Sequence, residues 1–190
     1  MNIANTIIYL IGFPGTGKFT ISKEIQKLMP AVLVDNHLIL NPVFSVIEAD
    51  GKTKIPDKAW DYTRKIRDIV LDSIRELAKP QSNFIFTNLL VEGSQVDQEL
   101  YSEVELLAKD RNANLLAVRL HISVDALCER IGSNDRKERL KMTDSEGVRD
   151  MATKNILLKP STGCFDIDVT NLSSKDAASQ IVDELVRRTR

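Results

Sequence analysis

Residues 12–20 read GFPGTGKFT, with the glycine and lysine spacing of a phosphate-binding loop. Glycines let consecutive backbone N–H groups turn inward around phosphate oxygens, and the N-terminus of a following helix adds positive potential. Lys18 would reach the terminal phosphates as a point charge. The alternative is a chance glycine turn between a strand and a helix. The residues that we expect to hold the nucleotide are Gly12, Gly15, Thr16, Gly17, Lys18, Phe19 and Thr20.

One position departs from this pattern, because Phe19 stands where a magnesium-binding Ser or Thr ordinarily follows the lysine. Phenylalanine cannot ligate a metal, and Thr20 lies about 100° farther around a helix. We expect Phe19 to pack in the core against the sheet and Thr20 to donate to the α-phosphate. Magnesium would then be held through water by Thr20 and Asp35. The alternative is that metal use has been lost.

The flanking sequence alternates strands with helices. TIIYLIG (6–12) is a continuously apolar run typical of a buried parallel strand, and the helix after the loop ends before Pro30. We predict strands at 6–12, 31–35, 83–90, 114–122 and 165–170, and helices at 18–28, 56–79, 95–110, 123–131, 144–157 and 173–190, with a helical turn in 41–51. We expect the strand at 31–35 to be buried as well. The pattern predicts an α/β three-layer sandwich of about five parallel strands with helices on both faces.

The composition is that of one globular domain spanning 1–190. A net charge of −1 argues against a nucleic-acid partner and against an anionic membrane surface. The two cysteines lack metal-ligand spacing, which favours a reducing cytoplasm. The apolar N-terminal run has no basic leader or cleavage site, so we expect a strand and no membrane segment.

The loop, followed by a short strand that ends in an acid, resembles the small-molecule kinases of the P-loop class. These include shikimate kinase, gluconate kinase and the nucleoside monophosphate kinases. DNHLILN (35–41), DG (50–51) and PDKAW (56–60) are similar to the substrate segment of gluconate-type kinases. GKFT, DNH and FTN also resemble bacterial P-loop proteins labelled shikimate-kinase-like. The resemblance follows the order of elements along nearly the whole chain, and it implies a kinase using ATP and Mg²⁺, with a substrate segment at 35–60.

Asp35 is the candidate proton acceptor, because a carboxylate at the carboxyl end of a strand lies beside the phosphate site. It could instead cap a helix or lie solvated in a turn. His37 could orient the substrate or accept a proton, although a lone histidine is often structural. Asn36 and Asn41 could hydrogen-bond a polyol or a base edge, or satisfy their own backbone.

FIFTN (84–88) ends where many P-loop enzymes carry a magnesium-binding acid, but Thr87 and Asn88 stand there instead. These side chains can hold a water molecule or a substrate hydroxyl, and cannot bind magnesium as a carboxylate does. We predict that both contact the substrate. The alternative is that they simply begin a turn.

A basic segment, 132–142, matches the place of a mobile lid in the resembled kinases. Arg136 and Arg139 share a helical face there and could clamp phosphates bidentately, unless the segment is a solvated charged helix. Arg130 could stack on adenine or reach the site, or be exposed. The resemblance also implies backbone contacts of Thr170 and Asn171 with the base. ATP is favoured over GTP, because no Asn-Lys-x-Asp signature is present.

Together these features predict an ATP-dependent phosphotransferase that moves the γ-phosphate to a hydroxyl of a small metabolite or nucleoside-like acceptor. Lys18, Asp35, Arg136 and Arg139 would be its catalytic residues. One alternative is a nucleotide-binding regulator or ATPase without efficient transfer. Another is a kinase of nucleic-acid ends or nucleotide sugars.

Overall fold

A computed structural model describes residues 3–51, 53–131 and 144–189. One or two helices separate each pair of successive strands in these ranges. In chain order they are β1 (Thr6–Ile11), α1 (Lys18–Leu28), β2 (Val32–Asp35), α2 (Asn36–Val46), α3 (Asp57–Leu77), β3 (Phe84–Asn88), α4 (Gln95–Asp110), β4 (Asn114–His121), α5 (Val124–Ile131), α6 (Ser145–Lys154), β5 (Phe165–Asp168) and α7 (Ser174–Arg188). The lid predicted at 132–142 lies outside the described residues.

The five described strands form one parallel sheet in the order β2-β3-β1-β4-β5. Both faces of β1 are buried, because Ile7 and Tyr9 pack on one side and Ile8 and Leu10 on the other. The first side is covered by α3, α4 and α5, and the second by α1 and α7. This confirms the predicted α/β sandwich. It also brings the carboxyl ends of β1, β2 and β3 together at one edge of the sheet.

Around the second strand, one local prediction is wrong and another is incomplete. Strand β2 is an edge strand in which only Val34 is buried, because only β3 pairs with it. The helical turn predicted in 41–51 is the end of α2, which begins at Asn36 and continues through Pro42. Pro42 lies inside this helix, where a proline removes one helical hydrogen bond. The packing of Ile39 and Val43 in the core outweighs that cost.

No helix within 3–51, 53–131 or 144–189 is long and apolar enough to cross a membrane.

Asn83 ties the amino-terminal ends of three adjacent strands together. Its buried side chain accepts a hydrogen bond from the Thr6 N–H at 3.0 Å and donates to the carbonyls of Ile3 and Pro30, both at 2.9 Å. These backbone groups flank the starts of β1 and β2. The arrangement fixes the register in which the opposite, carboxyl ends of the strands meet.

Replacing Asn83 with Ala should lower the free energy of unfolding by about 2 kcal/mol, because buried backbone groups lose their partners. Urea unfolding followed by circular dichroism measures the change. Gln81→Ala, at an exposed neighbouring position, is the control and should change stability by less than about 0.5 kcal/mol. Equal unfolding midpoints for the two variants would contradict the role given to Asn83.

Candidate active site

A cavity of about 710 Å³ lies at the carboxyl ends of β1, β2 and β3. The loop after β1 borders it through Gly15, Gly17 and Lys18, the end of β2 through Asp35, and the end of β3 through residues 87–89. This is the location expected for ligands in an open parallel sheet. The geometry places the predicted phosphate loop and the predicted proton acceptor on one cavity.

The loop has the backbone that a phosphate-binding turn requires. Gly15 and Gly17 have φ of 100° and 89°, a region that side-chain-bearing residues rarely adopt. Gly17 is also the residue before α1, and no side chain caps the helix there. An anion is favoured at this end of α1, because the N–H groups of a helix's first turn and the positive end of its dipole face that way.

The loop is held closed by its own groups. The Thr16 hydroxyl is buried and donates to the Phe13 carbonyl at 2.9 Å, so Thr16 would contact phosphate through its backbone. Lys18 Nζ donates to the carbonyls of Gly12 at 2.5 Å and of Phe13 at 3.0 Å. The ammonium group therefore lies across the turn, in position to move onto a phosphate.

Phe19 does not pack in the core, so that prediction is wrong. Its side chain is half-buried and borders the cavity, with Lys23 Nζ 5.7 Å from the ring centroid. The core face of α1 is set by Ile21 and Ile25, and position 19 lies off that face. Thr20 is exposed and also borders the cavity, so its hydroxyl is accessible to a ligand.

A chain of hydrogen bonds orients Asp35. Thr87 Oγ1 donates to Asp35 Oδ1 at 2.5 Å and accepts from the Asn36 N–H at 3.1 Å. Asp35 occupies the residue before α2, but its carboxylate makes no side-chain cap there. His37 Nδ1 lies 3.9 Å from Asp35 Oδ2. The carboxylate is thus fixed between β3 and the first turn of α2.

The same chain continues into the protein interior. Asn88 Nδ2 donates to Asn36 Oδ1 at 3.1 Å, and Asn88 Oδ1 accepts from the Tyr9 hydroxyl at 3.1 Å. Burial raises the pKa of Tyr9 to about 12, against the opposing charge of Arg67, so the phenol stays protonated as a donor. Thr87 and Asn88 border the cavity but are almost fully buried. Their side chains are hydrogen-bonded to Asp35, Asn36 and Tyr9.

Three predicted residues lie away from this cavity. Asn41 borders a neighbouring open groove of about 760 Å³ on the other side of α2, which Phe19 and Asp35 share. Asn41 Oδ1 is buried without a hydrogen-bond partner among the described residues. Thr170 and Asn171 are in the turn after β5, where Thr170 Oγ1 accepts from the Ser123 N–H at 2.9 Å. None of the three borders the cavity within the described chain.

Arg130 joins that turn to the cavity. Its Nη2 donates to the carbonyls of Val169 and Thr170 at 3.1 and 3.0 Å, while its side chain borders the cavity. Arg136 and Arg139 belong to the segment outside the described residues.

The sequence predicted a substrate segment at 35–60, but not that its apolar residues form one side of the cavity. Leu40 and Phe44 come from α2, Ile55 from the following loop and Trp60 from α3. The available signal was that apolar residues of α2 occur at 39 and 40 and again at 43 and 44, more than one core-facing stripe needs.

The oxygen donors at the cavity fit a magnesium ion that is held mainly by phosphates and water. Asp35 is the one carboxylate among the described residues that border the cavity, and Thr20 offers a hydroxyl. No cluster of three or more His, Cys, Asp or Glu residues suited to a metal occurs in the described ranges. Mg²⁺ commonly uses one or two carboxylates beside substrate phosphates, so this donor set is sufficient.

No protein-family model and no curated protein matches the sequence. Solved structures do match its fold. A gluconokinase from Sinorhizobium meliloti is 14% identical with a TM-score of 0.64, covering 98% of this chain and 94% of its own. The shikimate kinase of Acinetobacter baumannii, solved with shikimate, is 16% identical with a TM-score of 0.55, covering 96% and 94%. The tunicamycin resistance protein of Deinococcus radiodurans is 16% identical with a TM-score of 0.59, covering 95% of both chains. The chain therefore has the fold of the P-loop kinases.

Proposed function

We propose that this protein is an ATP-dependent phosphotransferase that moves the γ-phosphate of ATP to a hydroxyl of a small-molecule acceptor. One observation carries the proposal: the phosphate loop and the oriented Asp35 carboxylate border the same cavity. The similarity of the fold to a gluconokinase and a shikimate kinase supports it. The two free cysteines, Cys128 and Cys164, support a reducing cytoplasm as its location.

In the proposed reaction, the acceptor hydroxyl oxygen forms a bond to the γ-phosphorus. The bond from that phosphorus to the β–γ bridging oxygen breaks, and ADP leaves with the electron pair. Asp35 takes the hydroxyl proton, and His37 helps to orient the carboxylate and the acceptor. Lys18 and the N–H groups at Gly15, Gly17 and the start of α1 neutralise the phosphate charge.

Thr20 and Asp35 would hold Mg²⁺ through water, and the bound ion would neutralise charge on the β- and γ-phosphates. Thr20 would also donate to the α-phosphate. Asn36 is proposed to position the acceptor, with Thr87 and Asn88 acting through their bonds to Asp35 and Asn36. Asn41 borders the neighbouring groove and is not given this role.

The adenine of ATP would lie beside Arg130 and the turn that contains Thr170 and Asn171. Arg130 is hydrogen-bonded to backbone carbonyls of that turn. Arg136 and Arg139 would clamp the phosphates from the segment at 132–142, because a guanidinium fork binds phosphate oxygens bidentately.

A nucleotide-binding regulator with slow transfer is the second candidate. Two observations favour it: Phe19 offers no oxygen to a metal, and β3 ends in Thr87 and Asn88 without a carboxylate. Labelled ATP, incubated with and without a panel of alcohols, separates the two functions. Transfer of label to an alcohol supports the kinase, and ATP loss that no alcohol accelerates supports the regulator.

Lys18→Ala should weaken ATP binding at least about tenfold, because the loop loses its charged donor to the phosphates. Titration with a fluorescent ATP analogue measures the change. Lys27→Ala, on the same helix at an exposed position paired with Glu24, is the matched control and should bind as the wild type does. An unchanged ATP affinity of Lys18→Ala would show that this loop does not bind the phosphates of ATP.

Asp35→Asn should slow phosphoryl transfer by about 100-fold or more, since general-base assistance is typically worth that much. ATP affinity should change far less, because the loop remains. Pre-steady-state transfer and equilibrium ATP binding are measured on the same samples. Asp61→Asn, an exposed acid on α3, is the control. Wild-type transfer rates in Asp35→Asn would exclude Asp35 as the proton acceptor.

Phe19→Ser should increase the dependence of ATP affinity on Mg²⁺ several-fold, because it supplies the hydroxyl ligand that the loop lacks. Phe19→Ala removes the ring without adding an oxygen and is the matched control. ATP binding is titrated at fixed nucleotide and increasing Mg²⁺ for both variants. Identical Mg²⁺ dependence in the two would show that a hydroxyl at this position is not a metal ligand.

A further inference from the structure

One side of the cavity is an apolar surface that the phosphate chemistry does not use. Its members come from α2, from the loop that follows it and from the first turn of α3, and all border the cavity. We call it the acceptor wall, and it comprises Leu40, Phe44, Ala49, Ile55 and Trp60.

The acceptor wall is held by the end of α2. Glu48 adopts φ of 53°, the left-handed conformation that closes many helices and that usually falls to glycine. The Glu48 N–H donates to the Ser45 carbonyl at 3.3 Å and the Ala49 N–H to the Phe44 carbonyl at 3.0 Å. This is the paired hydrogen-bond pattern of a Schellman motif. It packs Ala49 against the small core cluster around Phe44.

Trp60 is the exposed part of this wall. Its indole packs edge-on against Phe44, with ring centroids 5.5 Å apart and an interplanar angle of 82°. Phe44 is buried, whereas 46% of Trp60 is exposed. Large aromatic side chains bury much apolar area when a second ring covers them, so the exposed part of the indole can gain binding energy from a flat ligand.

The charges near the acceptor wall do not favour an acidic acceptor. Among the described residues that border the cavity, Lys18 belongs to the phosphate loop and Arg130 is bound to the turn after β5. Lys54 also borders the cavity, but its side chain is 85% exposed and its Nζ lies 3.5 Å from Asp57 Oδ1. An acceptor covered with hydroxyls or carboxylates would lose water at the apolar wall without gaining hydrogen bonds there.

We propose that the acceptor is an alcohol carrying an aromatic or heteroaromatic ring, which packs on Trp60 while its hydroxyl faces Asp35. This inference rests on the proposed function and adds the class of substrate. The acceptor wall selects the ring. Thr87 holds the Asp35 carboxylate that receives the proton, and the hydrogen bonds from Tyr9 to Asn88 and from Asn88 to Asn36 support it.

Trp60 is the single tryptophan of the sequence, so its fluorescence reports directly on the acceptor wall. The full chain, saturated with the non-hydrolysable analogue AMP-PNP and Mg²⁺, is titrated with matched pairs of uncharged probes. Phenyl β-glucoside is compared with methyl β-glucoside, and uridine with ribose. The ring-bearing member of each pair should bind at least about tenfold tighter and change the Trp60 emission.

Variants locate the effect by calorimetry with the same probes. Trp60→Ala should remove the preference for the ring, and Trp60→Phe should keep part of it. Tyr62→Ala is the matched control, because Tyr62 is equally exposed on the same helix but does not border the cavity. AMP-PNP binding to each variant shows that it is folded.

The outcomes are distinct. A ring preference that is lost only in Trp60→Ala supports the inference. The inference is overturned if both members of each pair bind equally. It is also overturned if the wild-type protein binds AMP-PNP but neither member of a pair. The proposed function stands in both cases. A wild-type protein that binds no AMP-PNP overturns the inference together with the proposed function.

Discussion

The turn between β1 and α1 is the constraint on which the site depends. Gly15 and Gly17 have positive φ, and Lys18 bridges the turn through the carbonyls of Gly12 and Phe13. A side chain at either positive-φ position would strain the backbone. Because β1 is central in the sheet and buried on both faces, the turn is anchored directly to the core.

The order of the parallel strands determines which side chains lie beside this turn. Strand β3 lies between β1 and β2, so Thr87 pairs in register with Asp35 and bonds its carboxylate. Tyr9 supports the next position through Asn88. These hydrogen bonds favour one geometry of the Asp35 carboxylate, which the proposed in-line transfer requires. The apolar residues of α2 and α3 complete the opposite side of the cavity.

The sheet, most helices and the place of the loop were predictable, because apolar runs and glycine spacing are local signals. The position of Asp35 at the cavity was also predictable, because it follows an apolar run that marks a strand ending beside the loop. The bonding of Thr87 to Asp35 depends on strand order, which local patterns do not encode. Phe19 was misjudged because one helical position decides between core and cavity. The start of α2 at Asn36 was not predicted, because residues 35–41 were interpreted only as part of a substrate segment.

The most direct test of the central claim is a crystal structure of the protein with AMP-PNP and Mg²⁺. The account predicts that the β-phosphate lies within the turn at 12–18, hydrogen-bonded to its backbone N–H groups. Lys18 Nζ should have left the carbonyls of Gly12 and Phe13 for a phosphate oxygen. A nucleotide bound elsewhere, with Lys18 still on those carbonyls and the turn empty, would contradict it.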